Sequence, residues 1–89
     1  MNKKKLKNYA ELIEHAQQAT RRKGEADLAI SIYKKVIKLN SESGASYYNR
    51  GMQYLTKNEF DKACNDFHAA QRAGIDQASF AIKKYCEFD

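Results

Sequence analysis

Apolar residues recur at three- and four-residue spacing along most of this chain, and polar or glycine-bearing stretches break the pattern at intervals. That period belongs to amphipathic helices. Leu12, Ile13, Ala16, Ala19 and Thr20 fall on one stripe, which Leu6 and Tyr9 extend backwards, so a first helix is expected to end at Gly24. Lys23 just before the glycine suits a helix C-terminus. A second helix carries Leu28, Ala29, Ile32, Tyr33, Val36, Ile37 and Leu39 and stops at the polar stretch 40–44. Tyr47, Gly51, Tyr54 and Leu55 mark a third, with Lys57, Asn58 and Glu59 as its turn. Phe60, Ala63, Cys64, Phe67 and Ala70 line a fourth, which Gly74 ends. Residues 77–88 form a fifth, with Phe80, Ala81, Tyr85 and Phe88 expected on one side as a cap over the preceding helices.

The pattern repeats itself. A shift of 34 residues lays Lys23, Glu25, Asp27 and Ala29 onto Lys57, Glu59, Asp61 and Ala63. It also lays Ile13 on Tyr47, Tyr33 on Phe67 and Val36 on Ala70, so apolar slots superpose even where identities change. Self-similarity of this length points to helix-turn-helix units stacked as a solenoid. The 89 residues then make a single domain, with a first repeat at about 10–43, a second at about 44–77 and a capping helix at about 78–89.

Composition agrees with an all-α chain. Proline is absent, there are four glycines, and 43% hydrophobic with 30% charged residues is ordinary for a folded domain. The net charge of +5 favours acidic partners, but part of it sits in Lys3, Lys4, Lys5 and Lys7, which read as a solvated end. Asn8, Tyr9 and Glu11 follow those lysines where an apolar run would be needed, so neither a secretory signal nor a membrane span is expected. A cytoplasmic location follows as an expectation. In that compartment Cys64 and Cys86 are expected as two free, partly buried thiols.

Residues 47–70 contain Y-Y-N-R-G-M-Q-Y, F-D-K-A and D-F-H-A-A, and these strings resemble the tetratricopeptide repeat, with Gly51 and Tyr54, and Ala63 and Phe67, at the signature spacings. In the first unit Gln17 and Thr20 depart from the family pattern, and Ser41 and Ile75 stand where its closing proline would be. The resemblance implies a short right-handed superhelix of five helices, whose first helices line a concave groove that binds a peptide or a partner helix. It places Glu14, Gln18, Arg21, Tyr48, Met52, Leu55, Ile82 and Cys86 on the groove side. Some family members clamp a C-terminal carboxylate with lysine, asparagine and arginine side chains. Asn49 matches the clamp asparagine and Lys83 one basic member, but Glu14, Gln18 and Glu87 replace the others, and Glu14 would repel a carboxylate.

No catalytic apparatus is legible. His15 and His68 lack metal-site partners and read as exposed helical residues, the glycines form no phosphate loop, and no nucleophile motif occurs. Neither cofactor nor metal is expected. Arg21, Arg22 and Lys23, and Lys34, Lys35 and Lys38, could meet phosphates, but interleaved Glu11, Glu14, Glu25 and Asp27 favour solvated helix faces over nucleic-acid binding. The leading expectation is therefore a protein-interaction adaptor. Tyr48, Met52, Leu55 and Ile82 would supply apolar contact, and Arg21, Arg22 and Lys83 would select acidic ligand residues. The alternatives are a homo-oligomer held by the same apolar surface and nucleic-acid binding through the basic helix faces.

Overall fold

The structure is a computed structural model that describes Glu11, Glu14, Gln18 and residues 24–87. The described residues are all-helical, with four helices and no strand. These are α1 (Ala26–Leu39), α2 (Gly44–Thr56), α3 (Phe60–Arg72) and α4 (Asp76–Tyr85). Glu11, Glu14 and Gln18 are also helical, while the rest of the first expected helix, including Arg21 and Arg22, lies outside the described residues. Four of the five expected helices thus fall among the described residues. The last helix also differs from expectation: it begins at Asp76 and ends at Tyr85, and Phe88 lies outside the described residues.

The helix ends have local causes. Asn58 takes a φ of 61°, and Gly74 a φ of 93°, the left-handed conformation that glycine and asparagine tolerate best. After each, the chain closes the same paired motif. Asn58 N–H donates to the Leu55 carbonyl and Glu59 N–H to the Tyr54 carbonyl. Gly74 N–H likewise donates to Gln71 and Ile75 N–H to Ala70. Carbonyls at the ends of α2 and α3 are satisfied in this way without side-chain caps. Asp27, Asp61 and Asp76 in first turns, and Lys38 and Arg72 in last turns, complement the helix dipoles.

Each helix packs on its neighbour in the chain, α1 on α2, α2 on α3 and α3 on α4. The 34-residue offset persists in three dimensions: α1 starts at Ala26 and α3 at Phe60. Ala29, Tyr33 and Val36 are buried on α1, and their offset partners Ala63, Phe67 and Ala70 are buried on α3. The second set joins Ala81 and Ile82 of α4 in a core against which Tyr48, Met52, Tyr54, Leu55, Tyr85 and Cys86 pack.

Two contacts lock α2 to α3. A methyl group placed on Gly51 would lie 2.8 Å from Phe67 Cε1 and 3.2 Å from the Ala63 carbonyl oxygen, so the helices cross where only a hydrogen fits. On the other contact, Arg50 grips Asp66 with two parallel bonds, Nε to Oδ2 at 2.8 Å and Nη2 to Oδ1 at 2.7 Å. Asp66 is only 4% exposed. The rings of Tyr47 and Tyr54 flank the guanidinium, with centroids 5.7 and 5.9 Å away. The hydrogen bond to Asp66 raises the Arg50 pKa above its already high ordinary value, against the opposing effect of burial, so the pair stays ionic. By contrast, Lys57 pairs with Asp27 at the surface, where an ion pair adds little.

Two outcomes follow for chemical denaturation. Gly51→Leu should lower stability by about 1 to 3 kcal/mol through overpacking against Phe67, and a midpoint equal to that of the wild type would contradict the close crossing. Asp66→Ala should cost about 3 kcal/mol, because it strands the Arg50 charge in a partly buried site. A loss below that of an ordinary surface substitution would show the pair to be solvated.

Candidate functional site

An apolar concavity lies between α2 and α4. Tyr48 and Met52, one turn apart on α2, face Gln77, Phe80, Ala81, Lys84 and Tyr85 of α4 across a groove of about 260 Å³. Phe67 of α3 forms the support beneath it. Its ring centroid lies 5.8 Å from that of Tyr48 and 6.5 Å from that of Tyr85, so one buried ring positions an aromatic side chain on each wall. Phe80 stands on the rim with 75% of its surface exposed. An exposed phenyl ring beside a tyrosine and a methionine is the kind of surface that gains from being covered.

Among the described residues lining this groove Lys84 is the charged one, and its Nζ lies 5.4 Å from the Tyr85 ring centroid. The ammonium therefore sits where it can meet an acidic group on something seated against Phe80 and Tyr48. A larger concavity of about 520 Å³ lies elsewhere, walled by Ser41, Glu42, Tyr47, Ala69, Arg72 and Ala73. It offers one large apolar side chain among polar ones. Size alone is a poor guide here, since recognition sites combine apolar walls with a few placed polar groups.

The structure distributes the expected site residues unevenly. Tyr48 and Met52 line this concavity. Ile82 does not: it is 6% exposed and belongs to the core with Ala63, Phe67 and Ala81. Leu55 packs against the same core. Asn49 is half-buried on α2 and Lys83 exposed on α4, and neither lines the groove. Glu14 and Gln18 are exposed helical positions, whereas Arg21 and Arg22 lie outside the described residues. The residues that do form the α4 wall, Gln77, Phe80, Ala81, Lys84 and Tyr85, follow the i, i+3, i+4, i+7, i+8 spacing of one helical stripe. That stripe was available in the sequence. The family alignment instead selected the neighbouring face, which turns towards α3.

The cysteines require a correction. Cys64 on α3 and Cys86 after α4 form a disulfide, with their Cα atoms 5.8 Å apart at a sequence separation of 22. The expectation of free thiols rested on compartment, which says nothing about proximity. Helices α3 and α4 are antiparallel neighbours, so the middle of one meets the end of the other. Closing a loop of this length is worth about 3 kcal/mol in the chain-entropy account.

Among the described residues no three His, Cys, Asp or Glu side chains gather as a metal site, and no helix is long and apolar enough to cross a membrane. His68 is exposed on α3. Comparison with protein-family models, curated proteins and solved structures finds no significant match.

Proposed function

We infer that this chain is a non-catalytic adaptor of the tetratricopeptide-repeat kind, which takes a short peptide or helix from another protein into the groove between α2 and α4. The observation that carries the reading is the pairing of Tyr48 and Met52 with the largely exposed Phe80 across one concavity. Membership of the repeat class is supported by the 34-residue offset between α1 and α3, by the matching buried positions on both, and by the close crossing at Gly51. The short right-handed superhelix belongs to this same reading.

The groove suits one or two bulky apolar side chains rather than a long ligand. Aromatic and methionine walls adapt to such groups at low entropic cost. Lys84 favours a carboxylate next to the apolar anchor. Glu14, at a position where the chaperone-tail clamp would need a cation, argues for a ligand other than a terminal carboxylate. A cytoplasmic adaptor is the corresponding cellular role.

Phe80 also favours a second reading, in which a second copy of the chain covers it. Sedimentation distinguishes the two, since association of the purified chain that Phe80→Asp abolishes would favour the dimer.

The adaptor reading predicts that a displayed peptide library selects sequences with an aromatic or aliphatic anchor beside Asp or Glu. Phe80→Ala should weaken the selected peptides by about tenfold, the scale of a rim aromatic contact. Because Phe80 is exposed, its removal should leave the unfolding midpoint in place. Tyr48→Ala with Met52→Ala should abolish binding. Selected peptides that bind this double variant as well as the wild type would remove the groove from consideration.

A further inference from the structure

We propose that the Cys64–Cys86 disulfide is a redox-sensitive clasp: it holds α4 in place, and its two-electron reduction releases α4 and removes one wall of the groove. The inference concerns regulation of the site and rests on the groove reading given above.

Four observations support it. Helix α4 has ten residues, fewer than an isolated helix needs to persist in water. Its buried residues are Ala78, Ala81 and Ile82, and two of these bury only a methyl group. Its side-chain hydrogen bond to α3, from Gln71 Nε2 to Ser79 Oγ at 3.1 Å, is exposed to water. The disulfide lies at the far end of α4 from the Gly74 turn, so turn and disulfide tether the helix at its two ends.

The rest of the fold does not share this dependence. Helices α2 and α3 are held by the Gly51 crossing and by the Arg50–Asp66 pair, neither of which involves α4. Loss of the clasp should therefore act locally. Both cysteines are only partly buried.

The chemistry needs a dithiol reductant. One of its thiolates attacks a sulfur of the Cys64–Cys86 bond, forming a mixed disulfide and expelling the other cysteine as a thiolate, which takes up a proton. The second thiol of the reductant then displaces the attached cysteine, which also leaves as a thiolate and is protonated. The reductant ends as a disulfide and the protein as two thiols. Reoxidation by a disulfide of the same class reverses each step.

The consequence for the groove is geometric. Tyr48 and Met52 remain on α2, but Phe80, Ala81 and Tyr85 leave with α4. A peptide held between the walls loses its contacts with α4. The Phe67 ring, covered in the oxidised state, becomes accessible from the α4 side.

The test is hydrogen exchange on the full chain in oxidised form, after reduction by a water-soluble phosphine, and as the Cys64→Ser, Cys86→Ser double variant. Thiol titration of each preparation fixes its redox state. Amides of α4 should exchange on the order of 100-fold faster in the reduced chain and in the double variant, as expected from loss of this loop closure. Amides of α2 and α3 should keep their protection. Equal protection of α4 in all three forms would overturn the proposal. So would loss of protection throughout the chain, which would make the disulfide a global staple, or two free thiols that persist after treatment with oxidised glutathione. Peptide binding forms a separate arm: release of α4 on reduction, with no peptide bound by the oxidised chain, would leave the clasp standing and remove the groove reading.

Discussion

Much of this structure is organised around the ring of Phe67. It is fully buried and is touched from three directions. Gly51 brings the backbone of α2 against one edge, Tyr48 leans on it from the same helix, and Tyr85 stacks on it from α4. Removing the side chain at Gly51 makes this possible, because any methyl group there would push α2 outwards and carry Tyr48 with it. The distance between the groove walls is thus set by a residue that lines neither of them. A core aromatic acts as the spacer, and the groove surface inherits its geometry from packing beneath.

Electrostatics adds orientation to this packing. The paired bonds between Arg50 and Asp66 are directional, so they fix the rotation of α2 about its axis where the Gly51 contact fixes its distance from α3. The tyrosines at positions 47 and 54 hold the guanidinium in place from the same helix. Surface pairs do less. Lys57 and Asp27, both part of the recurring K-x-E-x-D-x-A string, meet across the repeat boundary instead of within a unit, in a solvated setting where the attraction is weak.

How far the fold can be read from the sequence depends on the range of the interaction. Periodicity located α1, α2 and α3 well, since helix stripes and their ending residues are local features. The offset of 34 residues foretold which positions on α3 would be buried once those on α1 were known. Features that join separate helices were less accessible. Asp66 looked like one more charged residue on a helix, and nothing local paired it with Arg50. Cys64 and Cys86 carry no spacing signature, and their meeting depends on how α4 lies on α3. The candidate site divides in the same way: its α2 wall was legible through Tyr48 and Met52, whereas Ile82 exchanged places with Phe80 because the rotation of α4 is decided by what α3 offers it. Ala81 and Ile82 fit against Ala63 and Phe67, and Phe80 is turned outwards as a result.

The packing of each helix on its chain neighbour bears on how the molecule assembles. Contacts between adjacent helices close short loops, so little chain entropy has to be surrendered before packing rewards it, and such topologies fold quickly. The α2–α3 hairpin contains the close crossing at Gly51 and the Arg50–Asp66 pair, so it can serve as the nucleus onto which α1 and α4 add from either side. A contact between elements apart in the chain adds to this scheme: a methyl group at Gly44, the first residue of α2, would lie 2.7 Å from Ile75 Cγ1 in the turn that leads into α4. The entrance of α2 therefore serves as a mould for that turn, and the direction in which α4 sets out is decided as soon as the hairpin has formed.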